Sequence, residues 1–262
     1  MPKKSNVKLA RAKALQGDAD AAMALLTADA AADPTAAASL MQLHAFRGQW
    51  EEVVRLGLPL VDRFDAFDTM NVYKETVALV AWAGVNGVPL RAVELKQRIK
   101  KESPRPVQIQ LQNAAKVLSD PKKYGRIFLS DADPDPKGYA SAVEVMRKSE
   151  PKLWSAGNAA ALTERLLGIA RACGDQKQAL QLVLGDTSKV SFEQGAFVAE
   201  ALVKKKDLKG AWSFLEPRLG TWWPLDIAQV APVLLLINPE LNRLMTPDHR
   251  LEVLSTPRGF EA

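Results

Sequence analysis

The groups in this 262-residue sequence with the most latent chemistry are two histidines, one cysteine and a few runs of carboxylate and hydroxyl residues. Their spacing argues against a reaction centre. His44 and His249 lie far apart, and the sequence has no His-x-x-x-His pair, Cys-x-x-Cys pair or glutamate-bearing zinc helix, so no zinc site is expected. Asp131, Asp133 and Asp135 alternate like the opening of a calcium loop. Such a loop needs glycine after the third acid and glutamate at its twelfth position, where Pro136 and Ala142 stand. Gly185-Asp186-Thr187-Ser188-Lys189 has the composition of a phosphate loop, but its lysine follows the hydroxyl residues instead of preceding one. Cys173 and Ser191 lack a base at readable spacing, and a thiol on an apolar helix is usually inert. The expectation is a chain that is not an enzyme, with no catalytic residue, cofactor or metal.

Binding chemistry is the remaining class. Lys3, Lys4, Lys8, Arg11 and Lys13 fall in the first thirteen residues without an acid, and they account for the whole net charge of +5. The basic character therefore belongs to one end, not to a field over the surface. Lys204-Lys205-Lys206 with Lys209 forms a second cluster, at a helix end where cations complement the dipole. Neither cluster is interleaved with aromatics that stack on bases, which argues against direct nucleic-acid contact. Trp222 and Trp223 on a helix would point about 100° apart. The pair is expected to plug the gap between a last repeat and a cap, the other reading being one indole at a contact surface.

The elements that must position these residues are helical. Alanine and leucine dominate, and β-branched and aromatic residues form no alternating runs. A polar hinge recurs, followed five residues later by a small or β-branched residue, then by apolar residues at six and eight. Copies run from Gly17 to Ala22, Met23 and Leu25, from Gly48 to Val53, Val54 and Leu56, and from Gly87 to Ala92, Val93 and Leu95. Gly174 leads Ala179, Leu180 and Leu182, and Lys206 leads Ala211, Trp212 and Phe214. Intervals of 31, 39 and 32 residues within the two series suit a two-helix repeat. Glycine at the hinge can take the positive φ that ends a helix, and Asp18 or Asp175 can cap the next. Pro34 and Pro104 each lie seventeen residues beyond their glycine, where proline opens a new helix. Lys137 leads Ala142, Val143 and Val145 in the same register, so the array is expected to restart there.

Gln16-Gly17-Asp18, Ala22, Leu26 and Asp33-Pro34, with Gly174-Asp175, Ala179 and Val183, resemble the second-helix half of the tetratricopeptide repeat. Leu40-Met41, Leu79-Val80 and Leu166-Leu167 stand at the leucine-glycine step of the first half, without its tryptophan. The resemblance spans about two thirds of the chain. It implies an all-α fold of helix-turn-helix repeats stacked as an α-solenoid, TPR-like, with a divergent C-terminal helical cap.

Helices are expected near 5–16, 19–31, 35–47, 49–63, 68–85, 89–101, 105–118, 138–148, 153–173, 175–184, 191–205, 207–219, 223–237 and 247–255. The periodicity breaks between Ser119 and Lys137 at Asp-Pro steps that cannot sustain a helix. The division is residues 1–118 as N-terminal repeats, 119–137 as an Asp/Pro-rich linker or insertion, 138–221 as a second set, and 222–262 as the cap. The stretch Ile227 to Ile237 has about half the length a bilayer requires and contains Pro232, so it reads as a buried helix and no membrane contact is expected. One cysteine and an N-terminal stretch without an apolar core point to a bacterial-looking cytoplasm.

Function follows from the resemblance. Stacked helix pairs leave a groove lined by their first helices, near Thr35, Gln42, Phe46, Asp68 and Tyr73 in the first lobe and near Glu164 and Arg171 in the second, with Trp222 as a further contact. The mixed polar and aromatic lining suits a protein or peptide partner better than a small ligand. The expected function is a protein-binding scaffold or adaptor. Its rivals are an immunity-type inhibitor that occludes a toxin and a nucleic-acid-associated regulator using the basic N-terminal arm.

Overall fold

The computed structural model describes residues 6–67, 69–129, 137–185 and 190–259. Among them all regular structure is helical and no strand occurs. In chain order the α-helices are α1 (Val7–Leu15), α2 (Ala19–Thr27), α3 (Pro34–Phe46), α4 (Trp50–Val61), α5 (Met70–Val85), α6 (Ala92–Gln97), α7 (Arg105–Ser119) and α8 (Pro121–Tyr124). They continue with α9 (Gly138–Ser149), α10 (Ala159–Ala172), α11 (Gln176–Gly185), α12 (Phe192–Lys204), α13 (Leu208–Leu215), α14 (Leu234–Ile237) and α15 (Pro247–Ser255).

The hinges are where the chain leaves ordinary backbone space. Gly17, Gly48, Gly87 and Gly174 have φ of 84°, 70°, 100° and 67°, and Lys206 has φ 66°. All five hinges of the sequence pattern therefore adopt the left-handed conformation that stops one helix and redirects the chain. Three of the five following helices start on capping acids. Asp18 accepts from the Ala21 N–H at 3.1 Å, Asp175 from the Gln178 N–H at 3.0 Å, and Asp207 from the Gly210 N–H at 2.8 Å. Asp33 caps α3, with Pro34 at its first position. The residue five beyond the hinge is buried in four copies, as Ala22, Val53, Ala179 and Ala211. The third copy is weaker: α6 is only six residues long and Val93 is exposed. Lys137 is not a hinge. Its φ is −72°, and Val145, eight residues on, is 66% exposed.

The chain divides into two compact units, one made of residues up to 130 with 223–259, the other of residues 131–222. In the first, α1 packs on α2, α2 on α3, α3 on α4 and α4 on α5, while α1 also meets α3, α3 meets α5, and α7 meets both α5 and α6. In the second, α10, α11, α12 and α13 pack in succession and α10 meets α12. The second core gathers Leu167, Ala170, Ala179, Leu180, Val198 and Ala201, with Tyr139 of α9 against it.

Two expectations change. The C-terminal segment groups apart from the second set of helices. It belongs to the first unit, where α15 packs on α3 and α14 on α5. Nor does a helix run from 223 to 237, because only Leu234–Ile237 is α-helical. Pro224 and Pro232 each remove a backbone donor, and the irregular chain between them finds its hydrogen bonds in side chains of α3 and in its own Asp226 and Gln229. An apolar run alone could not distinguish this buried loop from a buried helix.

Candidate functional site

The face of α3 that the repeat pattern assigned to a groove is occupied by the chain itself. Gln42 is buried, accepts from the Val230 and Ala231 N–H groups at 3.0 and 3.3 Å, and donates to the Ala228 carbonyl at 3.1 Å. The Ser39 hydroxyl donates to the same carbonyl at 2.9 Å. On α5, Glu75 accepts from the Gln229 carboxamide at 2.6 Å, while the Gln229 oxygen accepts from the Leu225 and Asp226 N–H groups at 2.8 and 3.2 Å. Thr69 donates to Asp226 at 3.0 Å. The six bonds to backbone atoms replace ones that the irregular chain would otherwise make with water, which is why a loop can lie this deep.

Arg258 completes the seal. Its backbone N–H donates to the Leu15 carbonyl at 2.7 Å, and its fully buried guanidinium donates to Ala14 and Val230 carbonyls at 2.9 and 3.1 Å and to that of Val253. Burial lowers its pKa to about 10, still far above neutrality, so the charge is retained. Burial acts in the opposite sense on Glu75, raising its carboxyl to about 7 with the nearby Asp226 carboxylate adding to the shift and the Gln229 hydrogen bond and Lys74 opposing it.

The residues expected to line the first groove are thereby located. Thr35 is half-buried in the first turn of α3, its N–H held by Asp33 at 2.8 Å. Gln42, Phe46 and Tyr73 are buried, so none presents a free side chain to a partner. The Tyr73 hydroxyl donates to the Val61 carbonyl at 3.1 Å, its ring meets Phe64 and Phe67 edge-on, and burial raises its pKa. Asp68 lies outside the described residues. Trp222 is buried, while its neighbour Trp223 is 54% exposed. The two are not on a helix; Trp222 follows the 3-10 turn Glu216–Thr221 with ψ 127°.

Among the described residues of the second unit the corresponding face lines a cleft. A cleft of about 650 Å³ runs between α9 and α10. Ala142, Val145, Met146 and Ser149 line one wall at intervals of three and four, one face of α9. Glu164, Arg165, Gly168, Ile169 and Ala172 form the α10 wall, and Gln194 closes one end. Glu164 is the one expected site residue found here. Arg171 lies on α10, but its side chain is outside the described set. The register makes the two units comparable: Gly168 stands six residues before its hinge glycine, as Gln42 does, and Arg165 stands nine before, as Ser39 does. Ile169 and Ala172 likewise match Leu43 and Phe46.

Among the described residues no group of three metal-ligating side chains comes together. Asp131, Asp133, Asp135 and the 186–189 segment lie outside them. His44 bonds Gln49 across the Gly48 hinge at 2.6 Å, and His249 bonds the Leu244 carbonyl at 2.6 Å. Ser191 is the N-cap of α12, in a reciprocal capping box with Gln194. No helix is long and apolar enough to cross a membrane among the described residues. Sequence reasoning missed Val145 and Gly168. An in-helix glycine six residues before a hinge was the available signal. The chain matches no known family model, no curated protein and no solved structure.

Proposed function

We propose that this chain is a non-enzymatic, TPR-like protein-binding scaffold and that its binding site is the α9–α10 cleft of the second unit. One observation carries the reading. The helix face that the first unit covers with its own C-terminal segment is, in the same hinge register, uncovered in the second. An uncovered apolar wall costs solvation free energy on the order of 25 cal/mol per Å², and Val145, a large apolar side chain of the wall, is 66% exposed. Apolar walls with a few polar groups on the rim are the usual anatomy of a protein-binding site.

The test is site-specific photo-crosslinking in the source cells. A crosslinking amino acid at Ala142 is expected to trap a stoichiometric protein partner that the same group at Leu208, an exposed residue of α13, does not trap. Identical products from both positions, or none from Ala142, would remove the cleft as the binding site.

A further inference from the structure

The two matched faces differ in one chemical respect that bears on the occupant. In the first unit, Gln42 and Ser39 together bond two backbone N–H groups and a carbonyl of a non-helical segment. In the second, these positions are Gly168 and Arg165. Gly168 has no side chain, and Arg165 is held by Glu150 at 2.8 Å. The Ser149 hydroxyl donates to the Val145 carbonyl of its own helix at 3.0 Å, and the Gln194 oxygen is taken by the Ser191 N–H at 3.1 Å. At the positions that match Gln42 and Ser39 the floor therefore lacks the clamp that makes burial of irregular backbone tolerable. An occupant that satisfies its own backbone groups needs no such clamp, and among short segments an α-helix does so.

Two further features narrow the chemistry. A Cβ built on Gly168 meets nothing within 4 Å, so the middle of the α10 wall is a notch that accepts a large side chain. Glu164, beside it on the rim, is exposed and has no ion-pair partner among the described residues. From Glu164 to Ala172 the wall runs about 12 Å at 1.5 Å per residue, which matches about two turns of a partner helix. Resting on the function proposed above, we infer that the cleft takes an amphipathic α-helix whose apolar ridge, at spacings of three, four and seven, places a large residue in the Gly168 notch and a lysine or arginine against Glu164. This is helix-in-groove recognition, with the charge setting orientation.

The test is selection of random 16-residue displayed peptides on the full chain, counter-selected against Gly168→Trp. That variant fills the notch from a position where a β-carbon meets nothing within 4 Å, and far-ultraviolet circular dichroism verifies that the fold is kept. Selected peptides are expected to carry the helical apolar spacing and a basic residue, and to lose about tenfold or more in affinity on Gly168→Trp. Glu164→Lys should weaken them about fivefold at low salt, with recovery when the peptide's basic residue is replaced by glutamate. Peptides that depend on Gly168 but contain proline in extended motifs, or that ignore Glu164→Lys, would overturn this inference and leave the cleft as the binding site. If no peptide distinguishes the wild type from Gly168→Trp, the proposed function falls with it.

Discussion

The α3 and α10 faces stand at the same distances before a left-handed glycine, yet one is closed by the chain and the other is open. The residues that differ explain why. Ser39 and Gln42 turn the α3 face into a backbone-binding surface, and the C-terminal segment with its two prolines is the backbone that uses it. Arg165 and Gly168 leave the α10 face with a paired charge and a notch. Repetition of a helix pair thus fixes geometry, while two side chains decide whether the geometry is consumed in folding or remains for a partner.

The closed side can be broken at its seal. Arg258→Met removes the donors to the Ala14, Val230 and Val253 carbonyls; Ala14 keeps the Gly17 N–H at 3.1 Å, so the Val230 and Val253 carbonyls bear the loss. Unpaired buried acceptors cost about 1 to 3 kcal/mol each, so a loss of about 4 kcal/mol is expected. Urea denaturation followed by circular dichroism measures it; a loss below about 1 kcal/mol would show that the tail is not the seal. Gln42→Leu, similar in volume, orphans the Val230 and Ala231 N–H groups but leaves Ser39 on the Ala228 carbonyl, so about 3 kcal/mol is expected. Hydrogen exchange at residues 228–231 should rise sharply, and unchanged protection there would contradict the clamp.

The closed side also carries a pH dependence. Glu75 titrates near pH 7 in the folded chain against about 4.5 ordinarily. Because its folded pKa is raised, the stabilisation from its neutral form is complete below pH 4.5 and declines as pH rises toward 7. The slope is at most about 1.4 kcal/mol per pH unit. Above pH 7 the contribution flattens with the carboxylate charged beside Asp226. Glu75→Gln should abolish this part of the profile, measured as Tm between pH 5 and 8; an unaltered profile would assign the dependence elsewhere.

How much of this was legible follows from the range of the interactions. The hinges were readable because left-handed backbone is a local demand that glycine meets, and the caps because Asp18 and Asp175 act within three residues. The closure of α3 was not, because Gln42 finds its partners nearly 190 residues along the chain. For the same reason the 223–237 stretch read as a helix: its composition is apolar, and Ser39 and Gln42, which bond its backbone at residues 228–231, are on another element. Glu164 reached the open cleft from register alone, whereas the exposure of Val145 depended on which face α9 turns to α10.

The smallest expected effect sharpens the comparison at the hinges. The first unit uses glycine at Gly17, Gly48 and Gly87, but the second places lysine at its last hinge, Lys206, with φ 66°. A β-carbon in that conformation costs about 1 to 2 kcal/mol, and glycine's greater unfolded-state entropy returns part of this. Lys206→Gly should therefore stabilise the second unit by about 0.5 to 1 kcal/mol, read as slower hydrogen exchange in α12 and α13 with α3 unchanged. The reverse exchange at Gly17 has no such latitude. There φ is 84°, and a β-carbon would collide with the carbonyl oxygen of Ser255, the last residue of α15, so Gly17→Ala should disturb the C-terminal closure itself. A hinge facing the chain's own tail tolerates only glycine, while the Lys206 hinge tolerates a side chain at a modest conformational cost.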